Sequence, residues 1–212
     1  MAAVETIRLP LLNGEEQYEL ILPKDVDARE LFEELCHLNP DARLELTEEG
    51  HILVIPPTGM EGGYQSGEVF SQLSTWAKRN RTGKAFDSNS GFYLSEKENR
   101  APDASWVANA RIKSVSKRNR RKFAPFCPDF AIEVKSPSEA LSALERKCAR
   151  YVQEGAFESW LINPEQKAVT VFRPGSVQVH QDVAEVSGSG PLADFTLDLT
   201  EVWRGLDDEA LE

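Results

Sequence analysis

Glu133 and Lys135 stand two residues apart in the stretch Cys127-Pro-Asp-Phe-Ala-Ile-Glu-Val-Lys-Ser136. A carboxylate and an ammonium at that spacing could serve one reaction centre if the stretch is a strand, because strand side chains alternate between faces. Phe130, Ile132 and Val134 then share one side, and Asp129, Ala131, Glu133 and Lys135 the other. The two charged groups would project together, about 7 Å apart at about 3.3 Å per residue. Surface strands carry such pairs without any chemical role, so the pair alone does not define a site.

A second acidic residue sharpens the argument. Arg100-Ala-Pro-Asp103-Ala-Ser-Trp-Val107 reads as another short strand with Asp103 at its start. Hard cations such as Mg²⁺ take oxygen ligands, commonly one or two carboxylates completed by water and phosphate. Asp129 cannot share an ion with Glu133, since four strand residues separate them by about 13 Å. Asp103 on a neighbouring strand can.

Pro102-Asp103 followed by Glu133-Val134-Lys135 is the arrangement of the PD-(D/E)XK nuclease superfamily. The chain more closely resembles the Uma-type family of restriction-endonuclease-like proteins within it. The likeness rests on Thr58-Gly-Met-Glu61, Glu68 with its amphipathic helix, Phe86 to Phe92, Pro102 to Val107 and Cys127 through Ser138. Lys147, Tyr151, Gly155 and Trp160-Leu-Ile-Asn-Pro164 continue it, so it covers residues 41–205. The resemblance implies an α/β fold: a mixed central sheet, restriction-endonuclease-like, with flanking helices. It also implies a DNA endonuclease using Mg²⁺ or Mn²⁺, frequently dimeric so that two sites cut two strands.

By the same resemblance Asp103 and Glu133 would be catalytic and metal-binding, with a glutamate of the first core helix, Glu61 or Glu68, completing the metal shell. Glu68 has less reason than Glu61 to be a helix cap. Lys135 and Lys147 both qualify as the catalytic lysine, since related sequences often carry it on the helix instead of in the Glu-X-Lys position. Lys147 could equally snorkel over the core edge. Two other readings compete with the endonuclease: a catalytically silent nuclease-fold module that binds DNA or protein, and a metal-dependent hydrolase of another phosphate ester. Because the acidic positions are all filled, an active site is favoured.

The elements that must position these residues are legible in outline. Arg43 to Pro56 is a hairpin turning at Glu48-Glu49-Gly50. A helix after Gly63 buries Val69, Leu73, Trp76 and Ala77. Lys84 to Leu94 is strand, bend and strand. Ser136-Pro137-Ser138-Glu139 has the form of a capping box opening a helix, with Leu141, Leu144, Cys148, Tyr151 and Val152 buried and Gly155 closing it. Strands are expected at 159–162, 168–172 and 177–180, and a short element at 197–206. Upstream, Glu16–Leu22 alternates weakly like a strand, and 27–38 has helical spacing capped by Asp25 or Asp27. We divide the chain into an N-terminal extension (1–40) packed on the core, a nuclease-like domain (41–205) and a C-terminal tail (206–212).

Composition narrows the function classes. The 212 residues are 41% apolar and 28% charged, which suits one soluble globular domain. No apolar run is long enough to span a membrane, and the N-terminus lacks the pattern of a secretory signal, so a cytoplasmic protein is expected. Cys36, Cys127 and Cys148 are scattered and read as reduced thiols; His37, His51 and His180 show no zinc spacing. A net charge of −11 argues against generic polyanion binding. Residues 111–122 are the exception: Arg111, Lys113, Lys117, Arg118, Arg120, Arg121 and Lys122, with no acid among them. Such a run is commonly a solvated face, but between the two site strands it is a candidate for phosphate contact.

Overall fold

The computed structural model describes residues 18–207. Its central sheet has six strands in the order β11-β10-β9-β8-β7-β4. These are β4 (Gly83–Asp87), β7 (Ala104–Ala108), β8 (Phe130–Val134), β9 (Glu158–Asn163), β10 (Ala168–Arg173) and β11 (Ser176–Gln181). Neighbours run antiparallel except β8 and β9, which are parallel and joined through helix α4 (Leu141–Gln153). Parallel neighbours need such a crossover, and it lays the helix across the sheet. The fold is therefore the expected mixed α/β sheet with flanking helices.

Alternation along β8 supplies both faces. Phe130, Ile132 and Val134 enter one core with Trp106 and Trp160, beneath Val69 and Leu73 of α2 (Met60–Asn80). The Phe130 and Trp160 rings meet edge-on at 4.8 Å, a favoured aromatic geometry. The short α5 (Thr200–Arg204) and the hairpin of β12 (Glu185–Ser187) with β13 (Thr196–Asp198) close that side. On the opposite face lie Ala131 and Glu133, covered by α4, whose buried residues are Leu144, Cys148 and Tyr151.

A second sheet, ordered β1-β3-β2-β6-β5, supplies another wall. It contains β1 (Tyr18–Leu20), β2 (Arg43–Leu46), β3 (Ile52–Ile55), β5 (Phe92–Ser95) and β6 (Glu98–Arg100). The β2–β3 hairpin pairs Arg43 with Ile55 through Leu46 with Ile52. Its turn uses Gly50 at φ 81°, a left-handed conformation that glycine adopts without a Cβ penalty. Helix α1 (Ala28–Leu38) packs Phe32 against Leu46 and Ile52, and its cap Asp27 accepts from the Arg29 and Glu30 amides.

Several boundaries differ from the expectation. Helix α2 begins at Met60, not after Gly63, so Glu61 lies in its first turn. The Ser136–Glu139 box forms as a turn, with Glu139 accepting from the Ser136 amide and hydroxyl at 3.0 and 2.9 Å. Helix α4 starts only at Leu141, and Ala140 caps it without a side-chain bond. Of the strand expected at Glu16–Leu22, β1 occupies Tyr18–Leu20. Glu16 and Gln17 lie outside the described residues, as do the rest of residues 1–15 and residues 208–212. Cys36 is half-buried, Cys127 and Cys148 are buried, and all three are free thiols. Among the described residues no helix is long and apolar enough to cross a membrane.

Candidate active site

The β7–β8 pairing brings two carboxylates to the same end of neighbouring strands. Ala104 pairs with Ile132 in this antiparallel ladder, so one step further sets Asp103 level with Glu133. Asp103 Oδ2 accepts from the Val134 amide at 2.9 Å, which ties the residue to β8 beyond the last ladder pair. Glu133 points to the α4 face. Its Oε1 accepts from the Tyr151 hydroxyl at 2.7 Å and lies 3.0 Å from the Lys147 ammonium. Lys147 and Tyr151 are four residues apart, one turn of helix, which is why one carboxylate reaches both.

Strand β2 of the other sheet completes the surroundings. Arg43 and Glu45 share a face because they are two residues apart. Arg43 donates to the Ala101 carbonyl at 3.0 Å and stands 3.5 Å from Asp103 Oδ1. Glu45 is 1% exposed. Its Oε1 is 3.0 Å from Lys147 and accepts from the Ala101 amide at 3.0 Å, while Oε2 meets Arg100 at 3.2 Å. Arg100 continues to Glu98 at 2.9 Å, and Glu98 to Arg150 at 2.9 Å. Charges thus alternate without a break from Glu133 to the rim. A buried charge is tolerable only when paired in this way.

The two acidic poles titrate differently. Burial drives the Glu133 carboxyl up, Asp103 and Glu45 add to the rise, and Lys147 opposes it; the result is about 7. Burial pushes Asp103 up as well, against Arg43 and the Val134 amide. For Glu45 burial acts in the same sense, but Lys147 and Arg100 overcome it and hold the group at about 2. Uptake of positive charge beside Asp103 and Glu133 would relieve the strain on both.

These groups open onto a cleft of about 990 Å³ between the β2–β3 hairpin and α4. Asp103, Glu133 and Lys147 line it, and Arg43 and Glu45 form part of its floor. Lys135 does not line it. Strand β8 ends at Val134, and the Lys135 ammonium lies 2.8 Å from Glu165 and donates to the Ser136 carbonyl at 2.9 Å. Helix α2 turns Gly62 and Ser66 to the cleft. Glu61 instead accepts from the Leu206 amide at 3.2 Å. Glu68, two turns on, shares that stripe with Tyr64, whose hydroxyl donates to Glu201 of α5 at 3.4 Å. Neither glutamate is brought to Asp103 and Glu133.

The basic run sits at the other end of the strands. It connects β7 to β8, and in an antiparallel pair the connection lies opposite the ends that carry Asp103 and Glu133. Five residues of β7 amount to about 16 Å. Arg111 is in α3 (Asn109–Ser114), 2.7 Å from Asp129 and 4.4 Å above the Phe126 ring. Lys113, Lys117, Arg118, Arg120, Arg121 and Lys122 are exposed.

The residues sequence reasoning missed are Arg43, Glu45, Arg100 and Tyr151. The charged-apolar alternation of Arg43-Leu-Glu45-Leu signals a common face, and the Lys147-to-Tyr151 spacing another, but no pattern shows that the two faces meet. As to a metal, the described residues contain no group of three His, Cys, Asp or Glu able to hold one. Asp103 and Glu133 supply two hard oxygen donors on a solvent-reaching cleft. That fits an ion that keeps water and phosphate as its remaining ligands.

Residues 29–200 match the model of a family described as "Uma2: Putative restriction endonuclease". The chain belongs to the Uma2 family. The Uma2 match spans every element of the site, from α1 to the start of α5. Among solved structures, the chain is similar to one from Anabaena variabilis described as "a putative nuclease belonging to DUF820". That likeness has a TM-score of 0.64 and 21% identity, over 76% of this chain and 89% of that one. At this identity the likeness is one of fold. No relative is found among the curated proteins.

Proposed function

We propose that this Uma2-family protein is a divalent-metal-dependent endonuclease hydrolysing DNA phosphodiester bonds. The observation that carries the reading is Asp103 set level with Glu133 on adjacent strands, with the Lys147 ammonium 3.0 Å from Glu133. Asp103 and Glu133 would hold Mg²⁺ or Mn²⁺, which when bound supplies Lewis-acid polarisation of the phosphoryl group and stabilises the leaving oxygen.

The chain's own groups then have separate tasks. Tyr151 and Lys147 both engage Oε1 of Glu133, which fixes the carboxylate and leaves Oε2 for a ligand. Asp103 is fixed at both oxygens, by Arg43 at Oδ1 and the Val134 amide at Oδ2. Lys147 adds a positive charge at the cleft floor, able to orient the attacking water and offset charge developing at phosphorus. Glu133 and Glu45 together keep Lys147 charged, and Glu45 holds it from the β2 side. The exposed cations of 113–122 are suited to phosphates farther along a duplex, since such contacts position DNA without reading its sequence.

Nicking of supercoiled plasmid with Mg²⁺ or Mn²⁺, beside identically purified Asp103→Ala and Glu133→Ala, tests the reading. Cleavage by the parent alone is expected. Equal cleavage by all three would assign the activity to a contaminant. Retained DNA binding without cleavage by any would favour a silent binding module.

A further inference from the structure

The cleft is lined by five Lys and Arg side chains, and four of them are already committed to carboxylates. Arg43 faces Asp103, Arg100 faces Glu45 and Glu98, Lys147 faces Glu45 and Glu133, and Arg150 faces Glu48, Glu98 and Glu154. Arg146 is exposed and, among the described residues, has no ion-pair partner. A cation not already held in an ion pair is the one able to offer its charge to an incoming anion.

Position gives this charge a direction. Ala143, Arg146, Lys147 and Arg150 recur at helical spacing along the cleft-facing side of α4. Ala143, one turn before Arg146 on that wall, is small, and the carboxylate that lines the cleft further toward the helix N-terminus is Glu139, which accepts from the Ser136 amide and hydroxyl. The hairpin wall opposite carries Glu48, Glu49 and Glu19. Of the two walls, the α4 wall is the one that holds a cation outside any ion pair among the described residues, Arg146, while the hairpin wall holds more carboxylates than cations.

We infer that the substrate's phosphate backbone lies along the α4 wall, with Arg146 as its anchoring residue through a phosphate flanking the one at Asp103 and Glu133. This rests on the nuclease reading and adds which wall holds the strand. Arginine suits the task because its planar fork matches phosphate oxygens in pairs.

The test compares the parent with Arg146→Ala and Arg146→Lys, all with Mg²⁺ or Mn²⁺. Cleavage kinetics are read first, and then the salt dependence of affinity for a labelled duplex in a Glu133→Gln background. One phosphate contact is worth about 0.9 in the slope of log affinity against log salt. Arg146→Ala should raise KM roughly tenfold with kcat little changed, and reduce that slope by about one. Arg146→Lys should keep the slope. Thermal midpoints should be unmoved, because the side chain is exposed. A parent that cleaves, with Arg146→Ala matching its KM and slope, would overturn the inference and leave the nuclease reading intact. A parent that neither cleaves nor binds DNA would remove the reading and the inference with it.

Discussion

The Lys147 ammonium lies 3.0 Å from the Glu133 carboxylate, although thirteen residues of chain lie between them. Lys135, two residues from Glu133, is instead held 2.8 Å from Glu165. Lys147→Ala should therefore lower plasmid cleavage by about 10²-fold or more, the scale for losing one preorganised electrostatic group. Lys135→Ala should stay within a few-fold of the parent. Removing Lys147 also leaves Glu45 and Glu133 buried without their shared cation, at a cost of roughly 3–5 kcal/mol, so rates are compared at a temperature where both variants are folded. Greater loss in Lys135→Ala would reverse the assignment.

Stability without metal should depend on pH in two opposed windows. Glu133 has a raised folded value of about 7 against an ordinary 4.5, so the native state binds the extra proton between them. Its contribution is present below about 4.5 and lost as pH rises through 7. Glu45 is held at about 2, so its contribution is present above 4.5 and lost as pH falls toward 2. Each is worth on the order of 1–3 kcal/mol. Urea unfolding across pH should show the upper limb flattened in Glu133→Gln. A parent and variant with parallel limbs would remove Glu133 as the cause.

Divalent metal should stabilise the fold and do so more strongly as pH rises, because the ligand carboxylates must be ionised to bind it. Millimolar Mg²⁺ or Mn²⁺ should raise the melting temperature of the parent, by the mass-action gain of any ligand specific to the native state. Asp103→Asn should lose most of that gain. An unmoved parent would count heavily against a metal at Asp103 and Glu133.

Tyr151 touches Glu133 and does not line the cleft, so a positioning role is predicted for it. Tyr151→Phe removes one donor from a carboxylate that keeps Lys147. We expect a loss of about 1–2 kcal/mol in stability and a fall in kcat of roughly tenfold, the scale for groups that orient a ligand carboxylate, with KM nearly constant. A change confined to KM would place Tyr151 in substrate binding instead.

Within the basic connection the residues should divide by their packing. Arg111→Ala loses the Asp129 pair and the Phe126 contact, and should lower the melting temperature. Lys117→Ala with Arg118→Ala should leave stability unchanged and reduce the salt slope of DNA affinity by about two. An unchanged slope would mean that DNA does not reach this end of the strands.

How much of this was readable in advance follows from what periodicity can and cannot encode. Alternation in 130–135 and 103–107 determined two strands whose polar positions include Asp103 and Glu133, and the stripe at 141, 144, 148 and 151 determined a helix with one buried face. The sequence also carried the Uma2 resemblance and, with it, the mixed sheet. Those are local or family-level properties. Which face another element covers is not. Lys135 shares the Glu133 face by period two, yet β8 ends one residue before it and the side chain reaches past β9 to Glu165. Glu61 and Glu68 share a helical face by period seven, but that face meets α5 and the chain around Leu206.

Tertiary structure also decided the charge balance. Glu45 and Arg43 look like surface residues of a half-buried hairpin, because nothing in 43–46 says that α4 brings Lys147 over them. The basic run looked adjacent to the site because it lies between Asp103 and Glu133 in sequence. An antiparallel connection puts it at the far end of those strands, since the chain must travel the full length of β7 before it turns. The sequence by itself determined which residues could share a face and which family the chain resembles. Only packing of three separate elements around one cleft decided which charges meet, because the energy of a buried ion pair depends on distance through space and not along the chain.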